Sequence, residues 1–230
     1  MIGKWAGRLA QGALVLAALV PIGFLVVDAV RGRLGANPVE AITHRTGDWT
    51  IRLLLASLSI TPLRRLTGWN GLIRYRRTLG LLAFGYVCIH FLIYLVIDQG
   101  FPIQGFAWRY VVADIAKRPY ITVGFTAFLL LIPLAWTSTK RSIRKMGGKR
   151  WNALHRLIYV AGALGVLHFL WLVKGDQPDP IYYALWLVTI LVLRVWNVAG
   201  WLRALRRLPS APPAADPLPG PLPAPVRDRS

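Results

Sequence analysis

Arg150-Trp151-Asn152-Ala153-Leu154-His155, continuing through an apolar run to His168-Phe169-Leu170-Trp171, is the stretch whose reading decides the fold. It is long enough for a membrane-spanning helix, opens on a cation and carries two of the four histidines in the chain. A third, His90, lies inside another apolar run, Thr78 to Ile97. Coordinating side chains inside a span are costly to bury and are functional candidates for that reason. Working outward from this stretch therefore means asking whether these histidines share one depth and can hold a metal cofactor between them.

The composition supports lipid as the solvent. Only 16% of the 230 residues are charged and 55% are hydrophobic, with a mean hydropathy of +0.48, whereas about 25% of a soluble domain is charged. Several of the ten tryptophans, Trp49, Trp69, Trp108, Trp151, Trp171 and Trp201, stand at the ends of apolar runs, as in the aromatic belts of membrane interfaces. The single cysteine, Cys88, excludes an internal disulfide and any Cys-rich metal site, and reads as packing.

Six apolar segments of spanning length follow from the roughly 20 residues needed to cross hydrocarbon: 11–30, 49–63, 78–97, 120–137, 153–173 and 180–199. The first follows Lys4 and Arg8 and resembles a signal peptide, but no small-residue cleavage site follows and Pro21 only kinks it, so it reads as a retained helix. The expected fold is an all-α membrane protein, a six-transmembrane-helix bundle. Lys4, Arg8, Arg64, Arg65, Arg74, Arg76, Arg77, Lys140, Arg141, Arg144, Lys145, Lys149, Arg150, Arg203, Arg206 and Arg207 all fall on one side of it. The other side holds only Arg31, Arg33, Arg45, Arg109, Lys117, Arg118 and Lys174, together with every acidic residue outside the tail. Positive-inside counting places both termini in the cytoplasm. The net charge of +19 is thus orientation and lipid contact, not a nucleic-acid footprint. Residues 98–119, on the outer side, contain an amphipathic segment suited to the interface, and the Pro-rich tail from Pro209 is expected to be disordered.

Orientation gives depth. His90 lies eight residues before Asp98 and His168 eight before Asp176, on two spans running the same way. Both imidazoles then sit about 12 Å below the outer boundary. Two imidazoles from neighbouring helices at equal depth suit a six-coordinate haem iron, whose saturated ligation favours electron transfer. Gly85 and the run Ala161-Gly162-Ala163-Leu164-Gly165 offer space between helices. The alternative is that each histidine is a helix–helix hydrogen bond. No carboxylate lies within a span near either one, which disfavours a divalent-metal site.

His155 lies about 20 Å lower, near the cytoplasmic surface, and about 140° round a straight helix from His168, an offset that a bend at Gly162 or Gly165 would narrow. At its depth the third span offers Arg76 and Arg77. Two readings stand side by side: ligation of a second, inner haem, or binding of phosphate, propionate or a headgroup. His44 reads either as a loop histidine near a helix start or as part of an outer quinone or partner site.

Taken together, Asn37-Pro38 with His44-Arg-Thr-Gly47, Ile60-Thr-Pro-Leu-Arg-Arg65, Arg76-Arg-Thr-Leu-Gly-Leu81 leading to His90, Lys117-Arg-Pro-Tyr-Ile-Thr122, Leu134-Ala-Trp-Thr-Ser138, and Arg150-Trp151 with Leu154-His155-Arg-Leu157 and His168 resemble the MsrQ family. These are the haem-binding membrane subunits of the bacterial periplasmic methionine-sulfoxide reductase system, within the ferric-reductase-like transmembrane group. The resemblance covers roughly 35–200. It implies an inner-membrane cytochrome with haem b, one or two, and FMN as a candidate further cofactor. Electrons would come from membrane quinones, with a cytosolic flavin reductase as another donor, and pass to a periplasmic molybdopterin-containing reductase subunit that repairs methionine sulfoxide in proteins. By family pattern His90 and His168 are outer haem ligands and His155 a ligand or neighbour of a second. Larger ferric-reductase relatives carry a fourth histidine that this chain lacks.

The resulting organisation is an N-terminal helix region (1–34), a haem-binding transmembrane domain (35–202) and a Pro-rich tail (203–230). No Gly-x-Gly-x-x-Gly follows a strand, and the region after Trp201 is too short for a nucleotide-binding domain, so oxidation of NAD(P)H by this chain alone is excluded. The rival functional readings are a self-standing haem-dependent quinol or ferric/metal reductase, and a cofactor-free transporter or scaffold. The absence of inverted repeats disfavours the last.

Overall fold

Asn37 and Pro38 start the helix around which the others are laid. The computed structural model describes residues 2–98, 108–173 and 178–195. The tail 203–230 and the cations Lys174, Arg203, Arg206 and Arg207 lie outside the described residues, as do Trp201 and Asp176. In order, the elements are α1 (Ile2–Val30), α2 (Pro38–Thr67), a 3₁₀ turn (Asn70–Leu72), α3 (Ile73–Ile93) running into a π-helical turn (Tyr94–Asp98), α4 (Trp108–Lys117), α5 (Pro119–Trp136), α6 (Lys140–Met146), α7 (Gly148–Leu154), α8 (Leu157–Leu172) and α9 (Asp179–Val195). No strand occurs among the described residues. This is the all-helical membrane bundle expected from the hydropathy.

The Asn37 side chain accepts the Glu40 N–H at 3.2 Å, and Pro38 needs no donor in the first helical turn. α2 then runs for 30 residues to Gly68, whose positive φ of 74° lets its N–H close back onto the Arg64 carbonyl. The helix runs past the end of the predicted 49–63 segment, and Pro62, next to that end, lies inside it and is buried. A proline removes one intrahelical bond, and here the packing around it retains the helix.

α2 is apolar on two faces. Leu53, Leu54 and Ile60 meet Leu79, Ala83 and Tyr86 of α3, Leu131 and Leu134 of α5, and Ala161 of α8. Ile51, Leu55 and Leu58 meet Val166 of α8 and Tyr183, Leu187 and Ile190 of α9. Burial on both sides makes α2 the axis of the bundle and explains how it tolerates Asp48 and Arg52 along its length: their covering is protein more than lipid. Four described helical stretches are long and apolar enough to cross a membrane, namely Gly7–Val30, Asn70–Ile97, Pro119–Trp136 and Gly148–Leu172. They correspond to the first, third, fourth and fifth predicted spans. α9, in the sixth, has 17 described residues.

The fifth span differs from a straight rod. α7 ends at Leu154, His155 and Arg156 form a turn, and α8 begins at Leu157 and continues unbroken through Gly162 and Gly165. The bend is therefore at His155 itself and not at the glycines. Both glycines serve packing instead: a Cβ on Gly162 would meet Leu58 at 3.3 Å, and one on Gly165 would meet Ile51 at 3.4 Å.

Candidate functional site

His90 stands on α3 against the second turn of α2. Its Nδ1 is 3.1 Å from the Thr43 carbonyl oxygen and 3.3 Å from Thr46 Oγ1. The Thr46 hydroxyl is itself within reach of the Ile42 carbonyl at 2.9 Å, so its proton has an acceptor and its oxygen is left to accept. A carbonyl can only accept. Nδ1 therefore carries the proton, and Nε2 is left with a free lone pair. Gly47 makes this approach possible, since a Cβ there would come within 3.2 Å of His90 Cε1.

His168 on α8 repeats the arrangement against α5. Its Nδ1 lies 2.6 Å from the Tyr120 carbonyl oxygen, which again fixes the proton on Nδ1 and the lone pair on Nε2. Gly124, one turn beyond Tyr120, is the notch: a Cβ there would sit 2.7 Å from His168 Nδ1. The two imidazoles face each other with ring centroids 6.4 Å apart and planes at 79°. With each nitrogen about 2.0–2.1 Å from a shared metal, two imidazole centres stand about 6.3 Å apart. An Nδ1–H held by a backbone carbonyl is also the usual outer-shell partner of a metal-bound histidine, fixing tautomer and ring orientation.

Among the described residues no group of three or more His, Cys, Asp and Glu converges. A metal at this pair would have to bring its remaining ligands with it, as a porphyrin does. The histidines line a cavity of about 530 Å³, within the usual range of cofactor pockets. One wall is aromatic, with Phe91 stacked on Phe128 at 4.9 Å and tilted on Phe125 at 5.5 Å. The Ala161 and Gly165 positions expected to leave space do line this cavity. Gly85 does not: it is exposed and nothing lies within 4 Å of a Cβ built on it.

The other candidate residues fall elsewhere. His44 lies on the rim of the same cavity. It is helical and not in a loop, because α2 begins at Pro38, and it stands 4.0 Å from Glu40 one turn before it. His155 stacks on Trp151 with centroids 3.8 Å apart, and its Nε2 is 3.0 Å from Thr137 Oγ1. Trp151 Nε1 donates to the Thr137 carbonyl at 2.9 Å, tying α7 to the end of α5. Arg76 is near enough for its charge to act on His155, whereas Arg77 is exposed. His155 thus has Nε2 engaged, and no second imidazole faces it among the described residues. The residues that sequence reading missed are Thr43, Thr46, Gly47, Tyr120 and Gly124. Thr46, Gly47 and Tyr120 lie in motifs that carry the family resemblance, but nothing in them marked a contact to a histidine; the glycines signalled only small residues interrupting otherwise bulky helices.

Residues 46–166 match the family described as ferric reductase like transmembrane component. Three relatives bear the name protein-methionine-sulfoxide reductase heme-binding subunit MsrQ. The protein from Herminiimonas arsenicoxydans is 49% identical over 82% of this chain and 85% of its own length. That from Ralstonia nicotianae is 51% identical over 83% and 87%, and that from Xanthomonas campestris pv. campestris 49% identical over 90% and 94%. Identity near one half across most of both chains, on a helical membrane scaffold, shows that this chain belongs to the MsrQ family of ferric-reductase-like membrane proteins.

Proposed function

We propose that this protein is a haem-binding electron-transfer subunit of a methionine-sulfoxide reductase system, in which His90 and His168 would hold the iron of one haem b. The observation that carries the reading is the facing pair of imidazoles, 6.4 Å apart, each with Nδ1 on a backbone carbonyl of a different helix. When bound, haem supplies a one-electron couple at a six-coordinate iron. The chain supplies the rest. The Thr43 and Tyr120 carbonyls hold the Nδ1 protons, which leaves both Nε2 lone pairs for a metal in the cavity that the two rings line. Gly47 and Gly124 let those rings sit close to α2 and α5, and Phe91, Phe125 and Phe128 keep water from one wall.

The charge asymmetry supports a bacterial inner-membrane protein of six spans with both termini cytoplasmic. In that orientation the cavity lies in the outer half of the bilayer, suited to passing electrons from membrane quinones outward to a periplasmic molybdopterin-containing reductase subunit. His44, with Glu40 beside it, would face quinone or partner at the rim. That no second imidazole faces His155 among the described residues supports a single haem, with the basic cytoplasmic face left to receive FMN or a cytosolic flavin reductase.

Oxidised and dithionite-reduced visible spectra of the purified protein test this reading. A low-spin b-type signature is expected, lost in His90→Ala and His168→Ala. A colourless protein from haem-replete cells, or wild-type spectra in both variants, would remove it. Mixing the reduced protein with a periplasmic methionine-sulfoxide reductase and with ferric chelates separates subunit from self-standing reductase: rapid reoxidation by the chelate alone would favour the latter.

A further inference from the structure

At the other end of the helices from the paired histidines, arginines from α2, α3 and the turn before α8 lie within electrostatic reach of Arg194. Arg65 of α2 donates through Nη1 to the Arg194 carbonyl of α9 at 3.2 Å. The Arg194 guanidinium lies over the Tyr159 ring of α8, with its carbon 4.5 Å from the ring centroid. Arg65, Arg76 of α3 and Arg156 between α7 and α8 are all near enough for their charges to act on Arg194. Like charges gathered at the edge of a low-dielectric region repel one another. Among the described residues the ion pairs join Glu40 to His44, Asp28 to Arg45 and Asp114 to Arg118, and none reaches this cluster. The Tyr159 hydroxyl, a donor, is buried there without a hydrogen-bond partner among the described residues.

We propose that Arg194, which lies over the Tyr159 ring, forms with Arg65, Arg76 and Arg156, whose charges act on it, a binding site for a phosphate group. Arginine presents a planar fork of N–H donors that matches phosphate oxygens in charge and geometry. An anion among the four would turn mutual repulsion into attraction. The surroundings point to the source. Val160, Val192 and Val195 are exposed at 48%, 44% and 88% beside these arginines, so a phosphate held here has apolar surface next to it along α8 and α9. That pairing suits an anionic phospholipid, as basic pockets between spans on a cytoplasmic face do. The same phosphate chemistry could come from a soluble phosphate ester.

The test uses the full-length protein, purified in detergent, delipidated, and followed by its unfolding midpoint. The probes are dioleoylphosphatidylglycerol, dioleoylphosphatidylcholine, inorganic phosphate and FMN. Phosphatidylglycerol is expected to raise the midpoint by several degrees and phosphatidylcholine to leave it unchanged. Arg156→Gln with Arg194→Gln should at least halve that shift, while Arg144→Gln with Lys145→Gln, on α6 and outside the four arginines, should keep it. Tyr159→Phe alters no charge and relieves an unpartnered hydroxyl, so it should fold as well as wild type yet respond less. It decides the matter if the double arginine variant fails to fold. An equal, variant-sensitive shift with inorganic phosphate or FMN would support the phosphate site and assign it to a soluble ligand. Identical responses to the two lipids, or a shift unchanged in Tyr159→Phe and in the arginine pair, would overturn the proposal.

Discussion

A methyl group added to Gly124 tests the second layer of the candidate haem site more sharply than removing a ligand does. Its carbon would lie 2.7 Å from His168 Nδ1 and 3.0 Å from Cγ and Cε1. Ordinary contact begins at 3.4 Å, so the imidazole, or α8 with it, has to retreat by about 0.7 Å in an interior that resists such movement. Metal–ligand bonds tolerate only about 0.2 Å. The retreat also strains the 2.6 Å bond from Nδ1 to the Tyr120 carbonyl, and loss of such an outer-shell partner weakens metal binding by about tenfold to a hundredfold. The helix itself is not harmed, because alanine is favoured over glycine in a helix interior by about 1 kcal/mol. Gly124→Ala should therefore give a folded protein that retains much less haem, read as the ratio of haem to protein absorbance and as the reduced low-spin spectrum. Gly47→Ala meets His90 Cε1 at a looser 3.2 Å and should lose less. Gly85→Ala meets nothing within 4 Å and should match wild type. A Gly124→Ala protein with wild-type haem content and spectrum would refute the ligand assignment and its geometry together.

Other perturbations read single contacts. Thr46→Val removes one of two acceptors facing His90 Nδ1 and leaves the Thr43 carbonyl, so haem should be retained with a shifted midpoint potential in a redox titration. Tyr183→Phe deletes the oxygen 2.7 Å from Arg52 Nε; a hydrogen bond to a charged group contributes about 1.5–3 kcal/mol, and a lower unfolding midpoint should follow. Asp28→Asn opens the pair to Arg45 at 2.6 Å, but the arginine side chain is 46% exposed, and a pair of this kind contributes no more than about 1 kcal/mol. Thermal unfolding should barely move.

Much of this was legible in the sequence, for identifiable reasons. The long apolar runs announced the helices, and the spacing of His90 and His168 from the charges that follow them suggested a common level. Two histidines placed by such distant markers still face each other in the structure. What stayed hidden depends on contacts between segments far apart in the chain. The groups that hold the two rings are main-chain carbonyls of Thr43 and Tyr120, and a carbonyl carries no mark of its role in a sequence. The glycines beside them are informative only once it is known which helix each one faces. The continuation of α2 past Pro62 stayed hidden because the cost of a proline is local, while the burial that outweighs it is tertiary. The turn at His155 and Arg156 has no glycine or proline to announce it. The Arg52–Tyr183 contact, 131 residues apart, was likewise beyond reach.

The carbonyl acceptors on the two imidazoles bear on which oxidation state the site favours. A carboxylate in that position would draw the Nδ1 proton toward itself and give the ring imidazolate character, stabilising ferric iron. A neutral amide oxygen withdraws less. Were haem held by these two rings, two such acceptors would leave both imidazoles as neutral donors and shift the balance toward ferrous iron. They also cannot titrate, so any dependence of the haem potential on acidity has to enter from elsewhere around the cavity. Because the acceptors belong to the backbone, no single side-chain replacement can convert them into carboxylates.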